Sequence, residues 1–304
     1  MSERRLDRAL LTVSQMAAGS MLLVLAAIGV AVVFFAWPAI REFGLGFVVS
    51  TTWSPAAGRE SYGILPMIYG TLASSSLALL LAVPLGLGAA IFLNEDFLPE
   101  RLRSVLIFLV ELLAAIPSVI YGFWGIFVVI PLMQQLGEWL HSNLGWIPLF
   151  STSPIGPGLL PAAVVLAIMV LPITTSLSRS SLAALPAELR ESALALGATR
   201  WATVFRVLIP AAFSGIAGGV LLALGRAMGE TMAITMLIGN SNKLSPSLLA
   251  PANTIASLLA NQFAEAKGLQ VNALMYAALA LLLMTFVVNA LGHRIVESVR
   301  ERNS

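Results

Sequence analysis

The feature that most limits this chain is a series of long stretches without a single charged residue, the first running from Ala9 to Ile40. Crossing the hydrocarbon core of a bilayer takes roughly 20 consecutive apolar residues in a helix. Of the 304 residues, 58% are hydrophobic and 11% are charged, whereas a soluble domain carries about 25% charged residues. So few charges could not clothe the surface of a soluble fold of this size. The first run is too long for a signal-peptide core, and no small-residue cleavage site follows it, so it is read as a retained span. Apolar runs of this kind predict an all-α integral membrane protein with six transmembrane helices, at about 16–37, 64–93, 104–133, 158–178, 211–238 and 271–292. An N-terminal segment (about 1–15) and a tail (about 293–304) lie outside the bilayer in this scheme.

The positive charges orient the spans. With an even number of crossings, both termini share one side. That side would hold Arg4, Arg5, Arg8, Arg101, Arg103, Arg179, Arg190, Arg200, Arg206, Arg294, Arg300 and Arg302. The other side would hold Arg41, Arg59, Lys243 and Lys267, with Arg226 left inside a span. Cytoplasmic loops carry the excess of Lys and Arg, so both termini are expected in the cytoplasm of a multi-pass inner-membrane protein. Trp37, Trp124, Trp139 and Trp146 fall near span ends or in outer loops, where aromatic belts sit. The outer loops, about 38–63, 134–157 and 239–270, are short and suggest no folded domain of their own.

There is no cysteine, so disulfides and thiolate metal sites are excluded. The two histidines, His141 and His293, are far apart, and no metal site or other cofactor is expected. The chain lacks the glycine-rich loop that cradles nucleotide phosphates, so any ATP hydrolysis is expected on a separate chain.

The most informative segment is the loop between spans four and five, RSSLAALPAELRESALALGATRWATVFRVLIP, from Arg179 to Pro210. Pro186 suits the first turn of a helix, where a missing N–H costs nothing. Gly197 suits the position just past a helix end. Between them, Leu189, Ala193 and Leu196 share one face. Glu188 and Glu191 lie toward the N-terminus, where the helix dipole favours acids. Thr199 can cap a second helix leading into span five. The loop therefore reads as helix, glycine turn, helix. An ordinary amphipathic connector on the membrane surface would look the same.

These residues carry a resemblance. Glu191-Ser192-Ala193, three residues, Gly197, nine residues and then Val207-Leu208-Ile209-Pro210 resembles the cytoplasmic signature of bacterial ABC importer permeases. In that signature the corresponding residues are Glu-Ala-Ala, Gly and Ile-x-Leu-Pro. The departures are Ser192, Val207 and Ile209, and all are small changes. The resemblance implies a type I importer permease fold in which this loop is a coupling helix docked in a groove of an ATPase. Glu191 would belong to the docking surface and Gly197 to the turn. The segments Phe43–Pro55, Tyr62–Leu72, Glu111–Gly125 and Gly225–Asn240 are similar to the PstC-type permeases of phosphate importers, and more weakly to the paired PstA type. The expected partners are then a second, PstA-like permease, a PstB-like ATPase dimer, a PstS-like periplasmic phosphate-binding protein and membrane lipid. Phosphate as substrate follows from the resemblance and not from the residues.

Span five carries Arg226 and Glu230 one helical turn apart. A charge at the bilayer centre costs about 2.5–3.5 kcal/mol on insertion scales, so it is expected to face the bundle interior or a water-filled path. Gly215, Gly219, Ala223, Ala227 and Thr231 form a small-residue stripe beside Arg226, which lets a neighbouring helix approach. Arg226, Glu230 and Glu111 are the candidate pathway residues. Equally, Arg226 and Glu230 can neutralise each other as i, i+4 partners, with Glu111 a second partner for the arginine. Pro84, Pro117 and Pro172 lie inside spans and are candidate hinges.

Three other functions fit less well. One stays within transport, an ABC permease for sulfate, molybdate or another solute, which uptake competition would separate from phosphate. An intramembrane enzyme needs a catalytic set inside the bilayer, yet no Asp lies in a span and neither His is mid-span. An ion-coupled secondary transporter has no use for an ATPase-coupling loop.

Overall fold

The computed structural model describes residues 3–56, 60–95 and 97–303, and the side chains of these apart from 3–9 and 300–303. Arg59 and the side chains of Arg4, Arg5, Arg8, Arg300 and Arg302, counted above for orientation, lie outside the described residues.

The chain is a helical bundle. α1 (Glu3–Phe43) leads through α2 (Gly46–Val49) and a two-stranded hairpin, β1 (Trp53–Ser54) and β2 (Ser61–Tyr62), into α3 (Leu65–Asn94). The strands are antiparallel, with Trp53 opposite Tyr62. Next come α4 (Glu100–Ala115), α5 (Ser118–Trp124), a π turn (Gly125–Val129), α6 (Ile130–Leu144) and α7 (Leu159–Ala183). α8 (Ala187–Ala195) and α9 (Arg200–Thr203) precede a second π turn (Val204–Leu208) and α10 (Ile209–Gly229). α11 (Met232–Leu237), α12 (Ile255–Gln262) and α13 (Leu269–Asn303) complete the chain. Among the described residues, six helices are long and apolar enough to cross a membrane: Leu10–Phe43, Leu65–Asn94, Ser118–Leu144, Leu159–Ala183, Arg200–Gly229 and Leu269–Val299.

Two of the expected spans differ. The third, placed at about 104–133, is divided at Ile116–Pro117 into α4 and a longer span from Ser118 to Leu144. Pro117 has no N–H, so the Leu113 carbonyl loses its partner four residues on. The Tyr121 hydroxyl donates to that carbonyl at 2.8 Å and makes the break tolerable. The fifth, placed at about 211–238, ends at Gly229, and the chain is extended at Glu230 before α11 begins. Pro84 and Pro172, by contrast, lie inside uninterrupted helices and make no break.

The two π turns share a cause. Each ends two residues before a proline, with Ile130-Pro131 and Ile209-Pro210 following. The ring clashes with the carbonyl four residues back, and the turn widens to relieve it. The Ile130 and Ile209 N–H groups then reach five residues back, to the Gly125 and Val204 carbonyls.

α7 is the most buried of the spans and stands at the centre. α3 runs along one side of it, so close that a Cβ on Gly86 would overlap Thr174. α10 runs along another side, with Gly215 against Ser181 and Gly219 against Leu177, and Ala223 and Ala227 buried. The small-residue stripe is thus the seam with α7. Thr231 lies past the end of α10 and is not part of it. α1 stands at the periphery against α13 and leaves most of its apolar surface bare, as a lipid-facing helix does.

Of the loops expected on the outer side, one is more ordered than its sequence suggested. The 239–268 segment folds back into the bundle. Its carbonyls at Ala250 and Leu248, and that of Leu237, accept from the N–H groups of Leu159, Leu160 and Gly158 at the start of α7. Those are the donors that a helix N-terminus leaves unsatisfied. A capping box between Thr254 and Ser257 starts α12, whose Ile255 and Leu258 are fully buried.

Candidate functional site

α8 begins after Pro186, which occupies the cap position, and ends in a Schellman motif. The Ala198 N–H donates to the Ala193 carbonyl at 3.1 Å and the Gly197 N–H to that of Leu194 at 2.9 Å. Gly197 has a φ of 85°, a left-handed conformation that glycine adopts without strain. The Thr199 hydroxyl then accepts from the Ala202 N–H at 3.2 Å and starts α9.

The expected apolar face of α8 is not buried as a stripe. Ala193 is buried against the second π turn, but Leu189 is half bare and Leu196 is 89% exposed. Glu191, Ser192 and Gly197 are also exposed. A two-turn helix can bring only its central small residue onto the bundle. The larger apolar groups near its ends are left for another surface. Val207 and Ile209 are half-buried and Pro210 is exposed, all three at the π turn and the start of α10. The structure therefore gathers the seven signature residues into one helix, one turn and one widened coil.

An ion pair missed in the sequence holds this loop. Arg190, in the middle of α8, donates through Nη1 to Glu95 Oε2 at 2.8 Å and through Nη2 to Oε1 at 2.7 Å. Glu95 ends α3 and is 7% exposed. The available signal was weak: Glu95 is the first charge after the run Ile64–Asn94, and the orientation scheme puts it on the same side as Arg190.

The pathway candidates are not brought together. Arg226 is in the last turn of α10, where the helix dipole favours a cation. Glu230 follows the break, and its Oε1 accepts from the Ala233 N–H at 3.4 Å, at the start of α11. The i, i+4 pairing expected for them needed a continuous helix, and the break removes it. Among the described residues, neither forms an ion pair. Arg226 is exposed beside the seam with α7 and borders an open hollow with Leu222, Gly225, Asn289 and His293. Its side chain thus emerges on a face that this chain leaves uncovered. Glu111 is not a partner of Arg226. It sits on α4 in a narrow crevice with Thr175, Ser176 and Arg179, where the buried Thr175 hydroxyl has no hydrogen-bond partner among the described residues.

Residues 82–303, from mid-α3 through α8 to α13, match the profile of the family described as binding-protein-dependent transport system inner membrane component. The chain belongs to that family. It is a multi-pass inner-membrane permease subunit and not an enzyme, and such a subunit works with an ATPase and a substrate-binding protein. The chain is 45% identical over 282 residues to the phosphate transport system permease protein PstC of Mesorhizobium japonicum, covering 90% of this chain and 85% of that protein. It is 44% identical over 285 residues to the PstC of Pasteurella multocida, covering 92% and 88%. Two solved structures share its fold at 18% identity. One is an inward-facing methionine ABC transporter, MetNI, with a TM-score of 0.57 over 78% of this chain and 95% of the other. The other is a bacterial ABC transporter that imports alginate, with a TM-score of 0.56 over 96% and 99%.

Proposed function

We propose that this chain is the permease subunit of an ATP-driven importer that carries inorganic phosphate from a periplasmic binding protein to the cytoplasm. The carrying observation is the exposed α8 turn, with its Glu-Ser-Ala and glycine spacing, in a chain 45% identical to a phosphate permease. Both termini are cytoplasmic in this reading, because the arginine excess then lies inside. The second permease is PstA-like, the ATPase dimer PstB-like and the binding protein PstS-like. ATPase closure moves α8, and the bundle alternates between outward and inward openings. The exposed side of Arg226 faces the second permease, so the path runs between the two subunits. A permanently charged guanidinium there meets the passing oxyanion. A single arginine holds a phosphate dianion weakly, which suits release.

The test is radiolabelled phosphate uptake by cells that lack their own high-affinity system and carry this gene with its partner subunits. Saturable uptake competed by arsenate and not by sulfate is expected, and Arg226→Gln should abolish it with the complex still assembled. Competition by sulfate or molybdate would replace the substrate. Loss of the assembled complex in Arg226→Gln would make that residue structural.

A further inference from the structure

Movement imposed on α8 has two routes into the membrane. One is the backbone, through α9 and the second π turn into α10. That turn is widened, and its hydrogen bonds skip five residues, so it is a compliant link. The other route leaves the backbone at Arg190 and enters α3 at Glu95.

The second route is stiff. Two parallel guanidinium–carboxylate bonds fix orientation as well as distance. The carboxylate is almost wholly buried, so removing its partner would leave a buried polar group unpaired. Beside the pair, four aromatic rings form a row from the end of α3 to the start of α10's coil: Phe92, Phe97, Trp201 and Phe205. Successive centroids are 6.1, 5.9 and 5.9 Å apart with near-parallel planes. The ion pair ties the end of α3 to α8, and the row ties the same end to α9 and the π turn, so the loop is held to α3 at two points, and two points resist rotation where one would not. α3 is in turn locked to α7 at Gly86 and Thr174.

We propose that Glu95 and Arg190, with the aromatic row, are positioning residues that clasp the coupling loop to α3. A push on α8 then displaces the α3/α7 pair as a unit. This rests on the reading of α8 as the ATPase-docking helix.

The experiment uses the complete complex in proteoliposomes and measures phosphate moved per ATP hydrolysed. Glu95→Gln and Arg190→Gln should assemble and hydrolyse ATP, yet move about tenfold less phosphate per ATP. The charge swap Glu95→Arg with Arg190→Glu should recover most of the coupling. Unchanged coupling in the single variants, or ATP hydrolysis and transport falling in proportion, would overturn the clasp. If the single variants fail to assemble, the swap decides: recovered coupling supports the clasp, and an assembled but uncoupled swap overturns it. An unmodified complex that hydrolyses ATP without moving phosphate would remove the substrate assignment alone. The clasp would then be read from the stimulation of ATP hydrolysis by the loaded binding protein.

Discussion

The two ends of the bundle are finished in different ways. At the end opposite α8, the outer end in the proposed orientation, the chain satisfies itself. The returning loop supplies carbonyls to the start of α7, and the Thr71 hydroxyl accepts from the Ile255 N–H at 3.1 Å. Phe47 stacks on Tyr276 at 4.3 Å, and the Trp53 indole donates to Gln262 at 2.8 Å. At the α8 end, apolar side chains stand bare on α8, and the loop is held, among the described residues, by an ion pair and a row of half-exposed rings. A surface that must engage a moving partner cannot bury its own contacts. A surface that keeps its shape while a loaded binding protein docks, as the proposed function has it, can.

The comparison can be broken by substitutions, beginning with the most damaging. Gly70→Val should disrupt the outer end, because its Cβ would overlap the Asn253 carbonyl, which is backbone and cannot swing aside. A cost at or above about 3 kcal/mol is expected, read as loss of folded chain in detergent. A tolerated valine would mean the cap is loose. Gly197→Ala meets open space, so it carries only the cost of a left-handed φ, about 1–2 kcal/mol. A thermal-melt loss as large as that of Gly70→Val would contradict the contrast between the ends. Glu191→Lys should change the stability of the isolated chain by no more than about 0.5 kcal/mol, since the side chain is exposed. It should nevertheless weaken capture of the ATPase in a pull-down, and unaltered capture would remove Glu191 from the docking surface.

The smallest effect concerns pH. Burial, with a lesser contribution from Glu60, pushes the Tyr62 phenol in the outer hairpin above its ordinary value of 10.0. The folded chain therefore holds that proton more tightly than the unfolded chain does. The stabilisation is complete below pH 10.0 and fades as pH rises from there through the raised value. Tyr62→Phe should flatten that alkaline loss in a melt series. An unchanged alkaline slope would place the sensitive group elsewhere.

Much of the fold could be read from local pattern. The uncharged runs gave the number of spans, six, and the positions of most of them. The Pro186, Gly197 and Thr199 spacing described α8, its Schellman end and the cap of α9, because each depends on residues within one or two turns. The small residues Gly215, Gly219, Ala223 and Ala227 marked a close helix seam for the same reason. The prolines show where pattern stops. Pro84, Pro117 and Pro172 look alike in sequence, yet only Pro117 divides its helix. There, Tyr121 is placed to satisfy the released carbonyl.

The sequence alone determined that this chain must live in a bilayer, how many times it crosses and where its signature loop lies. Hydrophobicity, charge and turn chemistry are properties of neighbouring residues. Only the tertiary structure decided that Arg226 and Glu230 lie on opposite sides of a break and that Glu111 belongs to a different crevice. It also decided that Glu95 grips Arg190, 95 residues away. Those outcomes depend on which surfaces meet once the helices pack, and no local pattern of side chains records that.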